Sequence, residues 1–361
     1  MAELFKERGN TINEVDKELE LLLQKQGARI KVVGCGGGGG NSVSRMKETG
    51  IKGCEIIAIN TDAQDLLYTD ADHKILIGRE LTHGLGAGSN PKIGEEAARE
   101  SEQEIKKKLG EVDMVFITCG LGGGTGTGSA PVVADIAKRM GALTIGVVTL
   151  PFTVEGQKRI ENAQYGLEKL VAVTDTLIVI PNDKLLEIAP ELPMHTAFKV
   201  ADEILTNAVR GITELVTKAG LVNLDFADIK AVMGNGGVSL IGIGESDSKD
   251  RARDALEKAM RNPLLDVDIT NAKGALVNII GGPDMSLDEY KTIMEVISGK
   301  IAPDAKLISG AQISPDMDKS LKVLLIVTGV KSSQILGASV NLEKHQEEEL
   351  AKELGIDFVK E

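Results

Sequence analysis

The sequence predicts an α/β fold built on a doubly wound parallel sheet, followed by a smaller α+β domain. Three observations carry that prediction. Apolar, β-branched runs at Ile30 to Val33, Glu55 to Asn60, Met114 to Thr118, Leu143 to Thr149 and Thr176 to Ile180 read as buried strands. Helical patterns separate them, Pro91 to Lys108 and Ser129 to Met140 among them, and parallel strands joined by crossover helices need that alternation. Two of the strands also run straight into glycine-rich turns that open helices, as loops at the carboxyl edge of an open sheet do.

The remaining elements follow in chain order. Residues 1–28 carry Ile12, Val15, Leu19, Leu22 and Leu23 at helical spacing, which predicts a short amphipathic helix packed on the body or on a partner. The segment is not basic, so docking to a membrane surface is not expected. After the fifth strand, an unbroken helical pattern runs from Met194 to about Lys218. Ala197, Ala201, Ile204, Ala208, Ile212 and Leu215 share one face of it, and Gly220 is its stop. Such a helix spans more than about 30 Å, enough to cross a domain. Beyond it, Val238 to Gly244, Gly274 to Ile280, Ala305 to Ser309 and Leu321 to Val330 read as strands, with helices at Lys249 to Arg261 and Leu287 to Ser298. From Ser332 the chain turns polar and then acidic, through Glu347, Glu348 and Glu349, which predicts a flexible tail. The expected divisions are thus an extension (1–28), a sheet domain (29–193), a connecting helix (194–219), an α+β domain (220–331) and a tail (332–361).

Composition excludes several function classes. With 361 residues, 42% hydrophobic and 26% charged, the chain is a soluble globular protein large enough for two domains. Aromatics make up 2%, Trp is absent and the net charge is -13, which argues against nucleic acid as a partner. Cys35, Cys54 and Cys119 are odd in number and show no paired spacing, so they read as reduced, buried thiols. His73, His83, His195 and His345 lack ligand spacing, and no metal site is expected from side chains alone. No apolar run reaches transmembrane length and no secretory signal pattern is present, so the expected location is the cytoplasm, without membrane insertion.

The chemistry centres on glycine. Five of the seven positions from Gly122 to Gly128 are Gly, in a run GLGGGTGTGSAP that follows a strand and opens a helix near Thr127. Backbone N–H groups can converge there on phosphate oxygens, aided by the helix's positive end. Thr125 and Thr127 add hydroxyls for a phosphate or for a bound Mg²⁺. A second loop, GCGGGGGN from Gly34 to Asn41, follows the first strand, and the two can hold opposite sides of one polyphosphate. A third candidate is GLGAGSN, Gly84 to Asn90, ahead of Pro91. Two further loops carry charge. In PFTVEGQKR, Glu155 could accept from ribose hydroxyls and Arg159 approach the sugar or base, or the two could be a solvated pair on a helix. In NLDFAD, Asp225 and Asp228 stand three apart at a helix start, where Asp is also a favoured cap.

The segments GCGGGGGN, NTDAQ (Asn60 to Gln64), GLGAGSNP, GLGGGTGTGSAPVVA, LPFTVEGQKR, IPNDKL (Ile180 to Leu185) and NLDFAD, in this order, resemble the FtsZ family, the prokaryotic tubulin relatives of the division ring. The similarity runs over roughly residues 29 to 331, and the long N-terminal extension resembles the archaeal branch. The resemblance implies a tubulin-like GTPase. Gly37, Gly38, Gly39, Gly40, Asn41, Gly124, Thr125 and Gly126 would contact the phosphates of GTP or GDP, with Mg²⁺ bound alongside. Glu155 and Arg159 would meet the ribose. Asn182 and Asp202 would approach the guanine, with Phe198 on its face. Asp202 suits that task, because a carboxylate accepts from the paired N1–H and N2–H₂ donors that adenine lacks.

The resemblance also implies that Asn223, Asp225 and Asp228 of one subunit complete the site of the next, orienting the attacking water in a head-to-tail homopolymer at mid-cell. No G-x-x-x-x-G-K-[ST] motif is present, so a P-loop mechanism is not expected. Two other functions are open on the residues alone. A Rossmann-type NAD enzyme would explain Gly34 to Gly39 but leaves the other loops without a task, and a nucleotide-dependent scaffold would leave the acids idle. The chain ends LGIDFVKE, where Leu354, Ile356, Phe358 and Val359 suggest a linear motif for a membrane-tethering adaptor or another division protein, or a helix end packed on the body.

Overall fold

The computed structural model describes residues 28–188, 194–217, 221, 225–262, 269 and 272–330. Among these, ten strands pair edge to edge in a single sheet: β1 (Ile30–Cys35), β2 (Cys54–Asn60), β3 (His73–Leu76), β4 (Met114–Gly120), β5 (Leu143–Leu150), β6 (Thr176–Pro181), β7 (Gly237–Ser246), β8 (Gly274–Gly281), β9 (Lys306–Ile313) and β10 (Leu321–Thr328). Their order is β3-β2-β1-β4-β5-β6-β7-β10-β8-β9. From β3 to β7 every pairing is parallel, and β10 then runs antiparallel between β7 and β8. The seam between the two halves is short: β6 and β7 pair only from Thr176↔Gly237 to Ile178↔Ser239.

Topology places the crevice. From β1 the chain winds outward to β2 and β3, then returns to β4 on the other side of β1. The winding direction therefore reverses between β1 and β4, and their carboxyl ends diverge there, which is where an open α/β sheet binds ligands.

Helices cover both faces. They are α1 (Gly36–Glu48), α2 (Ala63–Tyr68), α3 (Arg79–Thr82), α4 (Pro91–Glu100), α5 (Glu102–Leu109), α6 (Thr125–Arg139), α7 (Gln157–Val173), α8 (Asn182–Ile188), α9 (Met194–Thr217), α10 (Phe226–Met233), α11 (Arg251–Met260) and α12 (Leu287–Ser298). Alternate strand residues feed two apolar layers. Val33, Ile57 and Val115 pack under α4 to α7, while Val32, Ile56 and Phe116 pack under α1 and α9.

Helix α9, 24 residues long, links the two halves of the sheet. Its buried face of Ala201, Leu205, Ala208, Ile212 and Leu215 meets Ile145 and Ile178 on one side and Leu276, Leu324 and Ile326 on the other. Ile204, expected on that face, is half-buried at its margin. Buried Asn278 on β8 donates to the Gly211 carbonyl at 3.2 Å, a polar tie between α9 and the C-terminal strands.

Several elements differ from the sequence expectation. The glycines after β1 are not a loop: Gly36 to Gly40 form the first turn of α1. Glycine is a poor helix former, so a tertiary reason must supply the preference. A Cβ on Gly39 would stand 2.5 Å from the Thr118 carbonyl oxygen, because α1 lies against β4 closer than any side chain permits. The expected helix Pro91 to Lys108 is two helices broken at Ser101, whose hydroxyl accepts from the Gly78 N–H at 3.2 Å. Strand β3 was not anticipated; it is a four-residue edge strand whose pattern is too short to stand out. Helix α6 begins at Thr125, ahead of the expected Thr127. The amphipathic segment around Ile12 to Leu23, Gly220, and the tail from Ser332, with its terminal apolar residues, lie outside the described residues.

The bridging role of α9 is measurable. Ile212→Ala removes a fully buried side chain from that face, and urea unfolding of the purified protein is expected to show a loss of about 2–5 kcal/mol.

Candidate functional site

At the switch point lies a cleft of about 400 Å³, floored by the ends of β1, β4 and β5 and walled by α1, α6, α7, α8 and α9. One end is backbone. Gly37, Gly38 and Asn41 from α1 face Gly120, Gly124, Thr125 and Gly126 from the β4–α6 turn. Helices of 13 and 15 residues both start here, neither with an acidic residue in its first turn. Two sets of unpaired N–H groups and two positive helix ends thus point at one small volume, which suits a polyanion. A Cβ on Gly126 would lie 2.8 Å from the Cys35 carbonyl oxygen, so glycine there is a condition for the two turns to meet.

The hydroxyls behave differently from each other. Thr125 Oγ1 lines the cleft, 2.6 Å from the buried Thr61 Oγ1. The NTDAQ segment holds Thr61 there: Asn60 Oδ1 accepts from the Thr61 N–H at 2.8 Å, and Asn60 Nδ2 donates to Asp65 at 2.6 Å. Thr127, expected to offer its hydroxyl to a ligand, does not. It is fully buried and accepts from the Gly122 N–H at 3.0 Å, bracing the turn from within. The third glycine segment, Gly84 to Asn90, also stays out of the cleft. It backs the main turn, and Asn162 of α7 ties the two by donating to the Ser89 and Gly122 carbonyls at 3.0 and 3.2 Å.

The middle of the cleft carries Glu155 and Arg159. They form the ion pair that the sequence left as one alternative, at 2.5 Å, and the pair stands on the cleft wall. Glu155 also accepts from the Phe152 N–H at 2.9 Å, so its carboxylate is held from the protein side, with lone pairs left over for a ligand hydroxyl. Thr153 donates from its N–H to Asp183 at 3.0 Å, which latches this loop to α8.

The far end offers acceptors and a ring. The buried Asn182 lines the cleft with an Oδ1 that finds no partner among the described residues, an unmet acceptor that costs stability until a donor arrives. Asp202 projects from α9, and partial burial pushes its carboxyl above the usual range. A hydrogen bond from Ser42 at 2.6 Å and the charge of Arg45 oppose that shift. Phe198, 37% exposed, meets Phe152 edge to face with centroids 5.3 Å apart, which leaves ring surface open toward the cleft.

The cleft therefore gathers Gly37, Gly38, Asn41, Gly124, Thr125, Gly126, Glu155, Arg159, Asn182, Phe198 and Asp202. It does not gather Gly39 and Gly40. Gly39 packs on β4, and Gly40 faces the Thr69 side chain. Asp225 and Asp228 are exposed and stand outside it. Asp225 is the N-cap of α10, accepting from the Asp228 N–H at 2.7 Å, and Asp228 accepts in return from the Asp225 N–H at 3.3 Å. Asn223 lies outside the described residues. Sequence reasoning missed Ser42, Thr149 and Cys35 as lining residues. Position after a glycine turn is the signal that could have found Ser42. The Cys35 thiol, pushed up to about 12 by burial, is no nucleophile. Among the described residues no cluster of three or more His, Cys, Asp or Glu could hold a metal by itself, so a cation here would rest chiefly on ligand oxygens.

The glycine cradle can be tested directly. Gly126→Ala forces the turns after β1 and β4 apart, and equilibrium dialysis is expected to show nucleotide affinity lowered by about 10- to 100-fold, since a misplacement of about 1 Å suffices for losses of that order.

Comparison with known proteins agrees with this geometry. Residues 29–190 match the model of the Tubulin/FtsZ family GTPase domain, and residues 237–331 match that of the FtsZ family C-terminal domain. The chain is 62% identical over 322 residues to cell division protein FtsZ 1 of Thermococcus kodakarensis, covering 89% of this chain and 86% of that one. It is 59% identical over 334 residues to cell division protein FtsZ 1 of Pyrococcus abyssi, covering 92% and 90%. The solved structure of an empty FtsZ dimer from M. jannaschii superposes with a TM-score of 0.84 at 58% identity, over 88% of this chain and 93% of that one. A backbone cradle at the switch point and matches across both halves lead to one conclusion: this chain belongs to the FtsZ family of tubulin-related GTPases.

Proposed function

We propose that this protein assembles head to tail into filaments of the cell-division ring and hydrolyses GTP at the contact between subunits. One observation carries the reading. Among the described residues lining the cleft, the acidic side chains are Glu155 and Asp202, at its sugar and base end, while the lining of the phosphate end offers backbone amides and hydroxyls; the nearby Asp65, whose Oδ2 stands beside Gly37, is engaged by Asn60. The acids suited to orienting a water, Asp225 and Asp228, are exposed on another element of the same chain. A second copy can bring them to the phosphate end, and a contact between two different faces does not close on itself, so it propagates as a filament. Apolar exposure on both sides favours the same contact: Val154, beside Glu155, is 82% exposed, and Leu221, shortly before Asp225, is 66% exposed.

In this reading the cradle formed by Gly37, Gly38, Asn41, Gly124, Thr125 and Gly126 binds the phosphates. Glu155 and Arg159 hold the ribose, Phe198 packs on the base, and Asn182 and Asp202 select guanine. Mg²⁺ carried with the phosphates would offset their charge, with the Thr125 hydroxyl suited to its shell. Asp225 and Asp228 of the neighbour orient and polarise the attacking water, a contribution of about 10² to 10⁴ in rate. The sheet up to β6 acts as the nucleotide module, α9 as the connector, and the strands from β7 onward as the module that presents the acids. The terminal residues Leu354, Ile356, Phe358 and Val359 are proposed to engage a membrane-tethering adaptor, which keeps a protein without a spanning helix among its described residues near the division site.

Asp228→Asn keeps an oxygen for the α10 cap but removes the carboxylate charge. It is expected to bind GTP and to pellet with GTP like the parent, while phosphate release falls by at least about 100-fold. In the parent, phosphate release per molecule should rise steeply with protein concentration. Equal rates in dilute monomer and in concentrated protein would refute the shared site. Deletion of residues 354–361 should abolish adaptor binding in a pull-down without changing GTP turnover.

A further inference from the structure

Ser42 lies in the second turn of α1, and its hydroxyl stands between groups from opposite ends of the cleft. Its Oγ is 2.6 Å from Asp202 Oδ1 on α9 and 3.1 Å from the Gly38 carbonyl in the phosphate cradle. Both distances suit a hydrogen bond, but a hydroxyl has a single proton to give. The shorter contact and the carboxylate charge both assign that proton to Asp202. Ser42 is 2% exposed, so its hydroxyl is committed to these protein partners.

We infer that Ser42 is a positioning residue for base selection: its hydroxyl pins Oδ1 of Asp202 and leaves the rest of the carboxylate turned to the paired donors of a guanine. This rests on the reading of Asp202 as the base-recognising group. The physical argument has two parts. A carboxylate meets the N1–H and N2–H₂ of guanine together only in one orientation, and rotation about its bond to Cβ would break the pair unless something holds one oxygen. The carboxylate must also be ionised to accept twice, and partial burial at this site works against ionisation. The Ser42 hydrogen bond and the Arg45 charge oppose that tendency. Because Ser42 belongs to the helix that starts the phosphate cradle, the same side chain fixes the distance between phosphate contacts and base contact. Gly38, one turn earlier, lines the cleft beside it.

The test is equilibrium binding of GTP and ITP to the full-length protein and its variants. ITP keeps the N1–H but lacks the 2-amino group, so it makes one bond to Asp202 where GTP makes two. Ser42→Ala is expected to weaken GTP by about tenfold and ITP by less, so that the GTP/ITP preference falls by about threefold or more. Ser42→Thr retains the hydroxyl and is expected to keep the parental preference. In an Asp202→Asn background, Ser42→Ala should cause no further change in the ratio. Ser42→Cys, nearly isosteric with a weak donor, gives the same comparison should the alanine variant not fold. Equal losses for both nucleotides, or a threonine variant that behaves like alanine, would overturn the inference. A parental ratio in Ser42→Ala combined with a lowered ratio in Asp202→Asn overturns the role of Ser42 alone. A parental ratio in Asp202→Asn overturns the base assignment beneath it.

Discussion

Everything in the cleft depends on backbone meeting backbone where α1 and the turn after β4 approach. Glycine in a helix interior costs about 0.5–1 kcal/mol relative to alanine, and α1 opens with five in succession. The sequence tolerates that cost because side chains at Gly39 or Gly126 would overlap the Thr118 and Cys35 carbonyls. The approach aligns two helix starts on one space. A protein with a net charge of -13 can therefore present a locally positive phosphate end by backbone dipoles, although Arg159, paired with Glu155, is the single basic residue among the described ones lining the cleft. Peptide dipoles fixed by the fold need no reorganisation when a polyanion binds.

Asp225 and Asp228 have a structural role at the start of α10 that is compatible with the chemical one proposed for them. Each carboxylate accepts from the other's N–H in a reciprocal cap, the arrangement usual for a helix start. That cap fixes two acidic side chains on a rigid element at the surface. Each still has acceptor capacity, since one hydrogen bond leaves most carboxylate lone pairs free. The exposure of both residues keeps them available to a second molecule.

Helix α9 gives the two halves of the sheet a common element. Its apolar face is shared between strands of both halves, Asn278 ties it to the C-terminal strands, and Arg210 donates to the Thr49 carbonyl at the end of α1 at 3.0 Å. Asp202 rides on the same helix. A displacement of α9 at the cleft would therefore be felt by the C-terminal strands it packs on.

Much of this was legible before any coordinates. Strand runs, the long amphipathic helix and the glycine positions stood out because each reports a local condition: burial on both faces, a 3.6-residue period, or space too small for a Cβ. The break at Ser101, the helical state of Gly36 to Gly40, the inward turn of Thr127 and the retreat of the third glycine segment were not legible. Three of these were set by a partner distant in sequence, Gly78, Thr118 and Asn162, while Thr127 turned inward to Gly122 five residues before it, once the turn had closed. The same holds for the cleft itself. Residue types and turn positions determined which groups could bind a nucleotide. Only the tertiary structure decided that Gly38 faces it while Gly39 does not, and that Ser42 meets Asp202 across 160 positions of chain, because such contacts follow from how helices are laid on a sheet and not from neighbours along it.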